Sequence, residues 1–188
     1  MTLGEFTDLL LRNSGLEPND LGLSHCRSGI EADLGLMTAD PSVLFDLIYK
    51  HFDGQEGPFN IFCEFRLNSL QDSLEFFEDH RTEFAHQESG DCRDKRIEDG
   101  FLWRNGWFPF AWDDFDNRLL VMDFDPSGHG EVGQIFLYDC RQSLGDWIAP
   151  NLPSFLDALY TKLVTSKFDK NEVLRDRFTA RIDGRRFD

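Results

Sequence analysis

The sequence predicts an α+β fold, a single domain with a mainly antiparallel central sheet flanked by helices. Amphipathic helical stripes occur near both ends of the chain and between its strand-like runs. The apolar runs that are typical of strands have connections too short for parallel crossovers. We therefore expect one domain over 1–188, with an extra N-terminal helix at about 2–14 and a basic tail at about 167–188.

Four amphipathic helices are predicted, at 2–14, 40–54, 69–84 and 151–163. The third carries Asp and Glu along one side, so its outer surface is expected to be acidic. The residues that mark the predicted starts are Thr2 with Glu5 as a capping box, Asp40 with Pro41, Ser69 and Asn151, and the predicted stops are Gly15 and Gly54.

Strands are predicted at 59–67, 107–112, 119–124 and 132–138. The last two are apolar on both faces, as expected for central strands that helices cover. The stretch 86–100 has no apolar period and is dense in charge, which predicts an exposed, mobile connection.

Composition and charge narrow the function classes. The chain is 40% hydrophobic and contains 19 Phe, which is enough for a packed core. Its formal net charge of −16 repels phosphate backbones and anionic lipid and attracts basic partners. We therefore expect no direct binding to nucleic acid or membrane. The tail at 167–188 differs, with seven Lys and Arg against five Asp and Glu.

Cysteine and histidine spacings do not predict a metal site. His80 and His86 are six residues apart, unlike zinc ligands at i and i+4 of a helix, and are interpreted as solvated surface residues. The sequence has neither a signal segment nor a long apolar run, so we expect a cytoplasmic chain with reduced thiols. We expect no cofactor. The cysteines, which lack C-x-x-C spacing, are Cys26, Cys63, Cys92 and Cys140.

The stretch 119–139 places acids and a histidine between two apolar runs. A calcium loop starting at Asp123 would need a bidentate glutamate where Gln134 stands. A metal-assisted hydrolase could use Asp123, Asp125 and His129, although no nucleophile elbow is present. We interpret the stretch as a turn between central strands whose backbone is ordered by aspartate side chains. The residues assigned to this structural turn are Asp123, Asp125, Pro126 and Gly133.

Aromatic and acidic residues just before this loop are candidates for partner binding. Aromatic residues that alternate along a strand are more often core, yet Trp is enriched at protein interfaces. An acidic turn is usually solvated, yet it can also steer a basic partner. The candidate partner-binding residues are Asp113, Asp114, Asp116, Trp103 and Trp112, and no catalytic residue is assigned.

Short motifs occur in a fixed order over about 28–165. They include L-G before the Pro41 helix, the D-G stop, W-x-P-F, D-x-D-P, G-Q and S-F-L. This order resembles the SUKH superfamily, which contains fungal glucan-synthesis or cell-wall-assembly regulators and bacterial immunity proteins. The matching residues are Glu31, Leu34, Gly35, Asp53, Gly54, Leu67, Ser69, Trp107, Pro109, Phe110, Asp123, Asp125, Pro126, Gly133, Gln134, Ser154, Phe155 and Leu156.

The resemblance implies a non-enzymatic protein that acts by binding another protein. In bacterial members the partner is a toxin domain, often a nuclease or deaminase, and the acidic surface would complement such a basic site. The alternatives are a regulatory scaffold of the cell-wall or glucan-synthesis type and the metal-assisted hydrolase. The sequence leaves the partner and the oligomeric state open.

Overall fold

The computed structural model describes residues 1–24, 45–62, 64–84, 94–97, 103–113, 118–141, 144–165, 181–182 and 185–186. Within these ranges lie four α-helices, a π-helical turn and seven strands. The helices are α1 (Leu3–Ser14), α2 (Pro18–Leu21), α3 (Leu70–Phe84) and α4 (Leu152–Thr165), and the π-helical turn is Phe45–Tyr49. The strands are β1 (Phe65–Leu67), β2 (Trp107–Asp113), β3 (Arg118–Asp123), β4 (Gln134–Asp139), β5 (Leu144–Ala149), β6 (Arg181–Ile182) and β7 (Arg185–Arg186).

The main sheet has five antiparallel strands in the order β1-β2-β3-β4-β5, and β6 and β7 form a separate two-stranded sheet. Each strand of the main sheet pairs with its neighbour in the chain, so every link is a hairpin or longer antiparallel connection. The predicted α+β class with a mainly antiparallel sheet is confirmed.

Two bulges decide which side chains share a face of the sheet. In β2 the register shifts between Pro109 and Ala111, so Phe110 and Ala111 both join the same core. This extra residue places Trp112 on the face of Trp107, although strict alternation would put the two on opposite faces. A second shift, between Ile135 and Phe136, has the same effect on Trp147 of β5.

The first face of the sheet packs against α1 and α4. Its core joins Phe108, Leu120 and Met122 of the sheet to Phe6 and Phe155 of the two helices, all at most 1% exposed. The cluster extends through Tyr49, Phe59 and Phe62. A large apolar area buried in this way is the main stabilising contribution to folding.

The second face is aromatic. Trp107, Phe136 and Tyr138 of the sheet pack there with Trp103 and with Phe77 of α3. The rings meet edge to face, as aromatic quadrupoles prefer, with Trp103 and Trp107 at 5.9 Å and 85°. All four tryptophans of the chain belong to this face or pack against it.

Local capping signals are confirmed at three helices. The Thr2 hydroxyl accepts from the Glu5 amide, the Glu5 carboxylate accepts from the Thr2 amide, and Gly15 ends α1 with φ 70°. Ser69 accepts from the Asp72 amide at 3.0 Å to begin α3. The Asn151 side chain accepts from the Ser154 amide at 2.9 Å to begin α4.

Three expectations about strands and helices are corrected or limited. Residues 59–62 are not a strand, because the Gln55 side chain bonds the Phe59 carbonyl and the Ile61 and Leu67 amides and so folds this segment back on itself. Strand β5 was not predicted. Of the 40–54 helix, residues 40–44 lie outside the described residues and Phe45–Tyr49 is π-helical.

The stretch 86–100 is described at 94–97, and there the prediction of an exposed connection is wrong. Ile97 is 1% exposed in the second-face cluster. The Arg96 guanidinium lies 3.5 Å from the centre of the Trp147 ring and donates to the Asp94 carboxylate at 2.7 Å. Charged residues can dock when they pair with each other and with a ring.

No helix within the described ranges is long and apolar enough to cross a membrane.

Candidate functional site

Helix α3 presents carboxylates to solvent along one side. Residues 70–84 contain five Asp and Glu against one Arg. Arg81 bonds Glu78 at 2.6 Å. The other four carboxylates of the helix are exposed, and two of them accept side-chain hydrogen bonds, Asp72 from Ser69 and Glu75 from Gln71. We call these exposed residues the acidic row: Asp72, Glu75, Asp79 and Glu83.

Beside the acidic row lies a line of half-buried rings, which we call the aromatic stripe: Phe76, His80 and Phe84 of α3 with Trp112 of β2. Residues four apart share one side of a helix, so the α3 rings contact each other. Phe76 and His80 stack with centroids 3.7 Å apart, and His80 and Phe84 follow at 5.3 Å. Trp112 packs on Phe76 at 6.1 Å.

His80 is part of this stripe and not a solvated residue, which corrects the interpretation from sequence. Its Nδ1 lies 3.1 Å from the Phe76 carbonyl and its ring lies 5.1 Å from that of Trp103. Burial among these rings lowers the pKa of His80 below 6.5, because the charged imidazolium loses hydration there. This shift favours the neutral imidazole, which carries no positive charge beside the acidic row.

The five residues predicted to bind a partner are placed very differently. Trp112 lies in the aromatic stripe, whereas Trp103 is 5% exposed beneath it. Asp113 is 3% exposed at the end of β2, so it is not on a solvated turn as the sequence interpretation assumed. Asp114 and Asp116 lie outside the described residues. A role of these residues in partner binding stays a prediction.

Asp113 belongs to a buried ion-pair group. Arg118 of β3 donates to the Asp113 carboxylate at 3.0 Å and to Glu64 at 2.8 Å, and its guanidinium lies 5.6 Å from the Phe65 ring. Burial alone would lower the pKa of Arg118, but the bonds and charge of Glu64 and Asp113 outweigh it and raise the pKa. Arg118 offsets part of the charge of these two carboxylates inside the protein, whereas the acidic row is exposed to solvent.

The loop between β3 and β4 is held by the buried carboxylate of Asp123. It accepts from the Asp125 amide at 3.0 Å and from Gln134 Nε2 at 2.9 Å, and the Asp123 carbonyl accepts from the Gly133 amide at 2.7 Å. Gly133 has φ 84°, a conformation that favours glycine. Burial raises the pKa of Asp123 to about 6.

This loop also anchors the docked segment 94–97. Gln134 Nε2 donates to the Arg96 carbonyl at 2.8 Å, and the Ser127 hydroxyl donates to the Lys95 carbonyl. Arg104 donates to the Asp125 carboxylate at 2.6 Å from the other side. The loop therefore ties together β3, β4 and two segments that precede β2.

Comparison with known proteins settles the family. The model of the SMI1 / KNR4 family (SUKH-1) matches residues 41–158. The chain belongs to this family. The predicted SUKH resemblance is confirmed. No curated protein sequence matches the chain significantly.

The SUKH-1 match spans the five-stranded sheet and α3 and ends within α4. The acidic row, the aromatic stripe and the Asp123 loop all fall inside it, whereas α1 and α2 precede it. The motif residues of the resemblance from Trp107 to Gln134 therefore lie on β2, at the end of β3, in the β3–β4 loop and at the start of β4.

The residues named for a metal-assisted hydrolase are engaged in other contacts or lie apart at the surface. Both Asp123 carboxylate oxygens accept hydrogen bonds, Asp125 is bonded by Arg104, and His129 is exposed. Across the described part of the chain, no group of three or more His, Cys, Asp or Glu is placed to hold a metal ion.

Sequence reasoning missed the aromatic stripe as a unit. The signal was available in α3, where Phe76, His80 and Phe84 recur at i, i+4 and i+8. Trp112 could not be added from the sequence, because its side of β2 depends on the bulge.

Proposed function

We propose that this SUKH-1 protein is a non-enzymatic binding module that neutralises a toxin domain, such as a nuclease or deaminase, by docking onto it. The observation that carries the proposal is the exposed acidic row on a chain of net charge −16. Members of the family act through protein–protein interaction. A toxin that receives phosphate groups has a basic active site, which an acidic surface complements.

The distribution of charge supports docking through the exterior. Acids in the interior are bonded, as with Asp113 and Glu64 around Arg118, or ordered by a loop, as with Asp123. Exposed acids face water and set the outward potential, which steers a basic partner and raises its association rate.

The experiment is capture followed by protection. The intact chain is used to pull down the product of the adjacent open reading frame, and the two are co-expressed to measure survival. We expect a 1:1 complex, death of cells that express the neighbouring protein alone, and survival when this chain is co-expressed with it. A neighbouring protein that neither binds nor kills contradicts the toxin-neutralising role.

The regulatory-scaffold alternative rests on the same family match, since the family is named for SMI1 and KNR4. It predicts a partner that is not toxic when expressed alone. It also predicts that partner binding persists at high salt. A toxin complex steered by charge would instead weaken, because salt screens the attraction.

A further inference from the structure

We propose that the aromatic stripe and the acidic row of α3 form one docking surface for an arginine-bearing basic segment of the partner protein. This inference rests on the proposed function and adds to it the surface used and the chemistry recognised. The candidate partner-binding residues predicted from the sequence were Asp113, Asp114, Asp116, Trp103 and Trp112, and of these Trp112 alone belongs to the aromatic stripe.

The two rows adjoin along α3. Asp79 lies three residues after Phe76, Asp72 lies four residues before it, and Glu83 lies three residues after His80. Positions three and four apart are neighbours on a helix surface, so each of these three carboxylates borders a ring of the stripe. A cation above a ring would also be within reach of a carboxylate.

The stripe is partly covered and partly open. Its rings are fixed from below by Trp103, which lies 6.0 Å from Phe76 and 5.1 Å from His80, and their other parts are exposed to solvent. Rigid, half-buried aromatic side chains lose little conformational entropy on binding. Such rings rimmed by charge are the usual composition of an interface hot spot.

Charge complementarity selects arginine as the occupant. The acidic row supplies four carboxylates, and the single basic residue of α3, Arg81, is bonded to Glu78. A guanidinium stacks on aromatic faces and bonds carboxylates in a bidentate way, whereas an ammonium does so less well. Carboxylates alone would accept lysine equally, so the rings confer the preference for arginine.

The test uses the intact chain and two synthetic twelve-residue peptides, one with six arginines and six glycines and one with six lysines and six glycines. Calorimetric titration measures both affinities. The first variant removes charge, Glu75→Gln with Asp79→Asn and Glu83→Gln. The second replaces two rings by smaller apolar side chains, Phe76→Leu with Phe84→Leu. The matched control removes three exposed charges elsewhere, Asp8→Asn with Glu56→Gln and Glu131→Gln.

We expect the arginine peptide to bind more tightly than the lysine peptide. The charge variant should weaken both peptides by roughly tenfold, as expected for the loss of several close charge contacts. The ring variant should weaken the arginine peptide by roughly fivefold to tenfold and leave the lysine peptide within about twofold. The control should leave both within about twofold.

Either of two results in the peptide titrations overturns the proposal. One is a control variant that weakens binding as much as the charge variant, which shows an unspecific field of the whole acidic chain. The other is a ring variant that leaves the arginine preference intact. If a variant fails to fold, hydrogen exchange of the unsubstituted chain with the arginine peptide tests where the peptide binds. The proposal requires protection in α3 and none in α1.

A third outcome concerns the basic tail of this chain as an occupant. Arg181→Gln with Arg185→Gln and Arg186→Gln should leave hydrogen exchange of α3 unchanged when no peptide is present. Loss of protection in α3 would mean that the tail fills the surface and would overturn the assignment to a partner. These peptide results are independent of whether the neighbouring gene encodes a toxin, so the surface and the toxin role fail separately.

Discussion

The two faces of the main sheet are both buried but differ in chemistry and in what covers them. The first face is covered by α1 and α4 and contains mostly Phe, Leu and Ile. The second is covered by α3 and the short segments around Ile97 and Trp103, and contains the tryptophans. Aliphatic and Phe side chains from long elements pack without polar atoms, which suits a core that mainly stabilises the fold.

The second face includes polar groups and reaches the surface. Its rim contains the half-buried Phe76, His80, Phe84, Trp112 and Trp147. The indole N–H groups of Trp103 and Trp107 are buried without a hydrogen-bond acceptor among the described residues, which lowers the stability gained from burying these rings. The first face therefore mainly stabilises the fold, whereas the proposed docking surface lies at the edge of the second face.

The largest expected contrast in stability comes from replacing one Phe of each face by Ala. Phe155→Ala on the first face, where the ring is 1% exposed, should lower the free energy of unfolding by about 3–5 kcal/mol. Phe84→Ala at the rim of the second face should lower it by about 1 kcal/mol, because this ring is only partly buried. Urea unfolding measures both, and equal losses would break the comparison.

A second prediction concerns the polar end of the first face. Arg118→Met leaves the carboxylates of Glu64 and Asp113 buried without their cation, so the free energy of unfolding should fall by about 3–5 kcal/mol. The control is Arg141→Met, which removes an exposed arginine 3.8 Å from Asp139 and should cost less than about 1 kcal/mol. Similar losses in both variants would show that the buried group contributes no more than a surface pair.

A third prediction uses pH on the second-face loop. The pKa of Asp123 is raised from 3.8 to about 6 by burial, so the folded state binds its proton more tightly than the unfolded state. The stability linked to this proton is present below pH 4 and is lost as pH rises through 6, by roughly 3 kcal/mol in total.

The difference in unfolding free energy between the unsubstituted chain and Asp123→Asn isolates this effect. We expect the unsubstituted chain to lose stability relative to the variant between pH 5 and pH 8, by roughly half of that total. A difference that stays constant over this range would show that Asp123 titrates normally.

The smallest prediction concerns the docked segment. Arg96→Ala removes the guanidinium over Trp147 and the bond to Asp94, and should lower the free energy of unfolding by about 0.5–1 kcal/mol. Amide exchange should quicken at Ile97 while rates in α1 stay the same. Uniform quickening would mean that the segment supports the whole fold and not just the second face.

Elements with local signals could be predicted from the sequence. The capping box of α1, the Ser69 start of α3 and the apolar runs of β3 and β4 all depend on residues a few positions apart. They were placed within one or two residues, and together with the motif order they led to the correct family.

Non-local features could not be predicted. Strand β5 has the sequence LGDWIA, whose Gly145 and Asp146 disfavour strands, and it forms because it pairs with β4. Segment 94–97 is anchored by Gln134, about 40 residues later. Asp113 is buried because the hairpin brings Arg118 to it. In each case the deciding partner is distant in the sequence or depends on strand register.

The placement of all four tryptophans on the second face makes that face visible by intrinsic fluorescence. The first core contains Phe and Tyr and no Trp, so indole emission reports on one side of the sheet. A ligand that settles near Trp112 or a loosening around Trp147 should shift the emission wavelength without any attached dye, whereas an event confined to the first core leaves it unchanged.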